Sequence, residues 1–571
     1  MADVDDILRQ YWGYDSFRPL QREIIDSVIS GHDTLAILPT GGGKSLTFQI
    51  PALALPGTAL VISPLIALMS DQVQNLRKRN IRAVVIHSGL THDRIYDILE
   101  QASYGAYDLL YVSPERLTSE FFRTRLRYIN INLIAVDEAH CISQWGYDFR
   151  PSYLKIAEIR EFFPEAPVLA LTASATQYVA DDIVNKLSSL SGDSFVRFRS
   201  SVRRDNLVYV VRSSDDRLGT LVNILNAVPG TSIVYCRTRE GTQKISDCLA
   251  DCGFSVSYYH AGLDRDEREK RQAEWISGKL RVLCATNAFG MGIDKADVRT
   301  VIHFDIPDTL EAYYQEAGRA GRDGQKSYAV LLAPPSSVDA LLHRHEKVFP
   351  TKDFIRVVYQ RLAEYFIIGE GSGLDAVFPF SLEEFCHATK MQYAAVRASL
   401  KVLEWSGYIT LTEEFDDASK MQILVSPSSE ELWTRLHIGS DPILDIVMRL
   451  YTGVFTDRVH INEDKIAVLL GIDRNDVYNH LAALDRAGVV KYVPFRRSPL
   501  LIYNIERKDS AKLYIPDEAY EQRIRNFRDR LLQVHKYVID GKTCRSLLLE
   551  HYFGETSSTP CRHCDNCLSR K

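Results

Sequence analysis

Over the first ~345 residues, short apolar and β-branched runs alternate with longer stretches in which apolar residues return every three to four positions. Runs at 59–62, 109–112, 133–136 and 168–171 predict buried strands, and a second series at 232–235, 282–285 and 300–303 begins after Asn206. Strands buried on both faces and separated by helix-length segments predict parallel sheets covered by helices. The pattern therefore reads as two α/β lobes, 1–205 and 206–345.

From about residue 346 the pattern turns mostly helical and repeats itself. "VRASLKVLEWSGYI" from Val396 and "VYNHLAALDRAGVV" from Val477 superpose at an offset of 81, with Leu400 on Leu481 and Gly407 on Gly488. In each copy apolar residues recur at i, i+4 and i+7, then a glycine ends the helix before a β-prone run. A shorter helical pattern precedes each, so each predicts a helix-turn-helix with a wing, placed at 346–430 and 431–515. A plain helical hairpin is the alternative. The last block, 516–571, reads as a small helical module.

Composition is that of a globular protein, with 46% hydrophobic and 25% charged residues. No apolar run reaches the roughly 18 to 20 residues of a spanning helix. Residues 1–10 are acidic and amphipathic, without the basic-then-apolar order of a secretory signal. These readings place the chain in the cytosol, away from membranes. A net charge of −6 gives no global attraction to phosphate, so any nucleic-acid contact needs local basic surface. The segment from Glu521 onward supplies some, with ten Lys plus Arg against six Asp plus Glu.

Candidate chemistry begins at "DTLAILPTGGGKSLTFQIPAL", which puts a Gly-rich turn between a strand and a helix. Thr40, Gly41, Gly42 and Gly43 would turn backbone N–H groups toward an anion at a positive helix end. Lys44 would reach the outer phosphates of ATP, and Ser45 would hold Mg²⁺. Leu38 stands where the common pattern has its first glycine. In "LIAVDEAH", Asp137 fits an outer ligand of Mg²⁺ and Glu138 a general base for water. "YYQEAGRAGRDG" sets Arg319 and Arg322 three apart, with Gln315 one turn earlier, as an arginine-finger group facing phosphate.

Together these segments resemble a superfamily-two helicase of the RecQ family, which implies that the two α/β lobes are RecA-like. By that resemblance, in "YDSFRPLQREII" Tyr14 would stack on adenine, Arg18 contact the nucleotide and Gln21 read the base edge. "SPLIALMSDQV", "LTASAT", "VYCRTR" and "ATNAFGMGIDKADVRTVIHFDIP" resemble motifs that line the DNA track or couple it to the ATP cleft, where Gly290 and Asp294 would lie. "AHCISQWGYDFRPSY" resembles the family's aromatic-rich loop for sensing single-stranded DNA, which implies that Trp145 and Phe149 stack on bases and Arg150 pairs with phosphate or motor acids. Tyr147 occupies the position where the family usually has histidine.

The last segment carries Cys544, Cys561, Cys564 and Cys567. Two overlapping Cys-x-x-Cys steps plus an upstream cysteine can close four thiolates on Zn²⁺, leaving no open position, so the metal reads as structural. A redox role is the alternative. The remaining cysteines, Cys141, Cys236, Cys248, Cys252, Cys284 and Cys386, read as reduced thiols. "YFGE" between the first two ligands strengthens the family resemblance. In the family, however, this module commonly follows the motor directly and precedes a winged helix. Here about 170 residues intervene and the cluster stands last.

The resemblance implies an ATP-driven motor that moves 3′ to 5′ on single-stranded DNA and unwinds duplex in repair and recombination. Its partners would be single-stranded and duplex DNA, with a single-stranded-DNA-binding protein as a candidate and the nucleoid as its place in a bacterium. An RNA helicase, a translocase that does not unwind and an ATP-switched DNA-binding scaffold stay open. "VVKYVPFRRSPLLIYNI" predicts a β-hairpin with Phe495 at its tip and Arg496 and Arg497 beside it, a candidate strand-separating wedge.

Overall fold

The computed structural model describes the chain apart from residues 1–2, 40, 88–89, 91, 144, 147–148, 189–194, 290–294, 375, 412–414, 418, 426–440, 452, 456–458, 494–495, 499 and 571. Two compact units emerge. One comprises Met1–His87, Ile95–Val348 and Tyr520–Lys571; the other is Phe349–Ala519 with Ser88–Arg94.

Within the first unit, lobe 1 is built on β1 (Thr34–Ile37), β2 (Thr58–Ile62), β3 (Ala83–Ile86), β4 (Leu109–Val112), β5 (Ile131–Val136), β6 (Val168–Thr172) and β7 (Val196–Arg199). All pairings are parallel, in the order β3-β4-β2-β5-β6-β1-β7. β1, β2, β4 and β6 are buried at every position and β5 at all but Asn132, which explains why their sequences read as mostly apolar runs rather than alternations. This order sets β6 between β5 and β1, so the turns leaving the carboxyl ends of β1 and β5 open toward one crevice.

Lobe 2 repeats the architecture with β8 (Leu207–Arg212), β9 (Thr231–Tyr235), β10 (Val256–Tyr259), β11 (Val282–Ala285), β12 (Val298–His303) and β13 (Ser327–Leu332), ordered β10-β11-β9-β12-β13-β8. One face of its sheet shares a core with the helix Glu521–Ile539. That helix buries Leu531, Val534, Tyr537 and Val538 beside Leu310 and Tyr313. Each such burial is worth about 1.5–3 kcal/mol of transfer free energy. The C-terminal module is therefore part of the lobe 2 core, although 171 residues of chain, Phe349–Ala519, run between them. Asp565 accepts from Val211 N at 2.9 Å and so caps a donor on the edge strand β8.

The second unit holds both predicted repeats. The first has helices Leu382–Thr389 and Tyr393–Trp405, then Gly407 at φ +78°; the second has Glu463–Leu470 and Arg474–Arg486, then Gly488 at φ +72°. Positive φ after the last turn is the conformation glycine reaches at least cost, and it explains the matched glycines. Val396 and Leu400 in one copy, and Val477 and Leu481 in the other, are buried as the stripe predicts.

The wing departs from expectation. β14 (Val377–Pro379) and β15 (Ile409–Leu411) both pair antiparallel with β21 (Leu500–Tyr503). β16 (Phe415–Asp417) pairs with β20 (Arg496–Ser498), and β17 (Lys420–Ile423) pairs with β19 (Val490–Val493) and β18 (Val459–His460). Among the described residues, β19, β20 and β21 therefore pair with strands of 377–423 and not with one another, where a hairpin was expected. Pro494 and Pro499 lie outside the described residues. The second helix-turn-helix is inserted within the wing of the first.

Among the described residues, no helix is long and apolar enough to cross a membrane.

Candidate active site

The Gly-rich turn leaves β1 and ends at Ser45, which caps the helix Leu46–Ala54. Gly41 and Gly43 have φ of +77° and +78°, and a Cβ on Gly42 would meet Pro39 O at 2.9 Å, so side chains are excluded here by both conformation and space. Arg18 Nη1 donates to Gly41 O at 2.5 Å, and Gln21 Nε2 donates to Gly43 O at 2.9 Å. The residues read as adenine-recognising are thereby fastened to the phosphate-binding turn, while Tyr14 beside them is exposed. Ser45 Oγ accepts from Gln72 Nε2 at 3.3 Å, and Gln72 in turn accepts from the buried Tyr111 hydroxyl at 2.9 Å.

Asp137 and Glu138 follow β5. Asp137 accepts from Ser63 Oγ at 3.2 Å, and its carbonyl accepts from Tyr153 OH at 3.0 Å. Glu138 sits at φ +48°, a left-handed conformation that costs a non-glycine residue on the order of 1 kcal/mol or more. Lys44 Nζ lies 3.6 Å from its Oε1 and His140 Nδ1 3.3 Å from its Oε2. Burial raises Asp137 above the usual carboxylate range, and the adjacent Glu138 charge adds to this. Burial acts on Glu138 as well, but Lys44 and His140 outweigh it and hold that carboxyl down.

A polar chain runs from this pair to lobe 2. His140 Nδ1 and Thr172 Oγ1 are 3.1 Å apart, Ser174 N donates to Thr172 Oγ1 at 3.3 Å, and Gln315 Nε2 donates to Ser174 Oγ at 3.0 Å. Arg319 is buried one turn beyond Gln315. The side chain of Arg322 reaches across to lobe 1, where its Cγ lies 3.3 Å from the place a Cβ on Gly41 would take. Of the two predicted arginines, Arg322 therefore lies against the Gly-rich turn, while Arg319 is buried beside Tyr235 of lobe 2. Sequence reading did not single out Ser63, Gln72, His140, Thr172 or Ser174, although all five fall in or beside its quoted motifs.

In the aromatic-rich loop, Trp145 meets Tyr178 edge-on with ring centres 5.0 Å apart. Arg150 N donates to Cys141 O at 2.9 Å and Arg150 Nη1 to Pro64 O at 3.3 Å, tying the loop to the turn after Glu138. Two arginines of the helix Glu521–Ile539 also engage it. Arg530 donates to Trp145 O, and the Arg523 guanidinium lies 5.1 Å from the Phe149 ring centre. Burial and neighbouring Arg530 push Arg523 down to about 10, so it stays cationic at neutral pH. No sequence pattern signalled this contact.

Thr40, Tyr147, Gly290, Asp294 and Phe495 lie outside the described residues; Arg496 and Arg497 lie in β20. Cys544, Cys561, Cys564 and Cys567 bring four sulfurs within 4.8 Å of one another. Cys561 N donates to Cys544 Sγ at 3.2 Å and Cys564 N to Cys561 Sγ at 3.3 Å, contacts that favour thiolate. Four thiolates about one ion at ~2.3 Å fit that spacing, so the residues present suit Zn²⁺. His563, between the second and third of these cysteines, is half-buried.

Fold and site define a two-lobed helicase of the DEAD/DEAH-box class: the DEAD/DEAH box helicase model matches residues 18–183 and the helicase conserved C-terminal domain model 216–324. The RecQ helicase winged-helix domain model (Bacteroidota) matches 421–494 and the RecQ zinc-binding model 504–568. The probable ATP-dependent DNA helicase RecS of Bacillus subtilis is 41% identical over 344 residues, 59% of this chain and 68% of that protein. The ATP-dependent DNA helicase RecQ of Pasteurella multocida is 41% identical over 340 residues, covering 59% of this chain and 53% of that one. The DNA-bound DUF1998 helicase MrfA superposes at a TM-score of 0.50 and 19% identity over 60% of this chain and 53% of that one, a likeness of fold. This chain belongs to the RecQ family of ATP-dependent DNA helicases, with ATP, Mg²⁺ and Zn²⁺ as its ligands.

Proposed function

We propose that this protein hydrolyses ATP between its two lobes, steps 3′ to 5′ along single-stranded DNA and unwinds duplex, serving repair and recombination. The observation that carries this reading is the polar chain from Glu138 through His140, Thr172 and Ser174 to Gln315, which joins the hydrolytic carboxylate to the helix that precedes Arg319 and Arg322. Ser45 and Asp137 would hold Mg²⁺, which when bound neutralises phosphate charge. Lys44 turns from Glu138 to the outer phosphates, and the freed Glu138 accepts a proton from the attacking water. Arg319 and Arg322 stabilise the charge that grows on the transferred group. Gly290 and Asp294 belong to the same cleft in this reading.

Trp145 and Phe149 stack on successive bases, worth about 1 to 3 kcal/mol each. Arg150 links that contact to the turn after Glu138, so strand binding reaches the hydrolytic carboxylate. The four thiolates supply folding energy to the module that steadies the loop. Of the domain limits expected from the sequence, 1–205, 206–345 and 516–571 serve as the working partition, with the copies expected at 346–430 and 431–515 nested one inside the other, the cytosol and nucleoid as the place of work and a single-stranded-DNA-binding protein as candidate partner. The test is unwinding of duplexes with a 3′ or a 5′ single-stranded tail. Strand separation from the 3′-tailed substrate alone is expected; equal unwinding of both, or of neither, contradicts the proposal.

A further inference from the structure

Lobe 1 ends with β7 at Arg199 and lobe 2 begins with β8 at Leu207, leaving residues 200–206 as the connector. The loop that follows the helix Arg545–Tyr552 of the zinc module grips this connector. Glu555 Oε1 accepts from Val202 N at 2.6 Å, and Glu555 Oε2 accepts from Ser201 Oγ at 2.7 Å. Flanking them, Arg199 Nη1 donates to Phe553 O at 2.5 Å and Arg203 Nη1 to Thr559 O at 2.7 Å. Phe553, Val202 and Tyr314 form a small buried cluster of their own, with the Tyr314 and Phe553 ring centres 5.1 Å apart.

The connector in turn holds the segment bearing the arginines. Tyr314 OH donates to Val202 O at 3.2 Å, and Tyr314 immediately precedes Gln315. Arg204 Nη1 donates to Gly318 O at 2.9 Å and Arg204 Nη2 to Gly321 O, while Asn206 Nδ2 donates to Gly321 O at 2.7 Å. Gly318 and Gly321 bracket Arg319 and adjoin Arg322. Gly321 has φ +63°, and a Cβ there would meet Asn206 Nδ2 at 2.6 Å, so this backbone is fixed against the connector.

We infer that Glu555 is a positioning residue for ATP turnover: through Val202, Tyr314 and Arg204 this zinc-module carboxylate sets the placement of Arg319 and Arg322. A carboxylate accepting an amide N–H and a hydroxyl fixes the chain more firmly than neutral contacts do. Misplacing a transition-state group by about an ångström can cost up to a hundredfold in rate. The inference rests on reading Arg319 and Arg322 as the groups that stabilise the transition state.

The test uses the full chain and compares wild type, Glu555→Ala, Glu555→Gln and Arg322→Ala. Steady-state ATPase is measured at saturating single-stranded DNA, with ATP KM and zinc content determined for each. Glu555→Ala is expected to lower kcat about tenfold or more, with KM for ATP near wild type and one zinc retained per chain. Glu555→Gln, which keeps an acceptor for the Val202 amide, should recover most of the loss. An unchanged kcat in Glu555→Ala beside a strongly impaired Arg322→Ala overturns the inference. Wild-type kcat in Arg322→Ala overturns the underlying finger reading and the inference with it. Should Glu555→Ala lose zinc, Ser201→Ala decides: lowered kcat at full zinc content supports the inference, and unchanged kcat overturns it.

Discussion

Gln315 of lobe 2 donates a 3.0 Å hydrogen bond to the hydroxyl of Ser174 in lobe 1, and both side chains are buried. A buried amide without its partner carries the cost of an unmade hydrogen bond, on the order of 1–3 kcal/mol. The contact therefore favours a closed arrangement of the crevice and links Glu138 to the arginine-bearing segment. Gln315→Ala should lower DNA-stimulated kcat by about tenfold or more while leaving DNA affinity within about twofold. Turnover equal to wild type would show that the chain of contacts carries no coupling.

Lys44→Ala and Glu138→Gln separate binding from chemistry. Lys44→Ala should weaken nucleotide binding and abolish hydrolysis. Glu138→Gln should bind ATP yet lose roughly two to four orders of magnitude in kcat, because the water loses its base. Nucleotide titration followed by single-turnover hydrolysis checks both. Near-normal turnover in Glu138→Gln would move the base elsewhere.

The sensor loop is held by the zinc-module helix as well as by lobe 1. Trp145→Ala should keep basal ATPase and lose most stimulation by single-stranded DNA. Arg530→Ala, which removes the donor to the Trp145 carbonyl, should show a smaller loss in the same direction with zinc retained. Full stimulation in both variants would identify the aromatic cluster as packing only.

Ile423 and Val490 face each other at the base of the inserted helix-turn-helix. Replacing residues 424–489 with an Asn-Gly turn should therefore join β17 to β19 and leave the outer copy folded. The shortened protein is expected to retain zinc and DNA-stimulated ATPase. Loss of soluble protein would show that the inner copy is needed to fold the outer one.

Metal removal gives a further check. Cys561→Ser should lose the one zinc expected per chain and lower the midpoint of thermal unfolding, because the other three sulfurs, those of Cys544 and Cys564 buried, then lack their common partner. A stable metal-free variant would contradict the zinc assignment.

Much of this was legible in the sequence because it is written locally. Parallel strands buried on both faces read as apolar runs, and a turn that must admit phosphate reads as consecutive glycines. Gly407 and Gly488 announced the ends of matched helices because both adopt positive φ. The wing pairings were illegible because β21 finds its partners at Val377–Pro379 and Ile409–Leu411, and no local pattern encodes a pairing across 90 to 125 residues. The grip of Glu555 on Ser201 and Val202, 354 and 353 residues away, and of Arg523 on Phe149 depends on the docking of one helix into the lobe 2 core.

The central claim is that ATP hydrolysis in the crevice answers to single-stranded DNA, and steady-state ATPase with single-stranded DNA, single-stranded RNA and no polymer tests it most directly. The account predicts strong stimulation by DNA, little by RNA, and none by either in Glu138→Gln. Equal turnover under all three conditions, or stimulation by RNA alone, would contradict it.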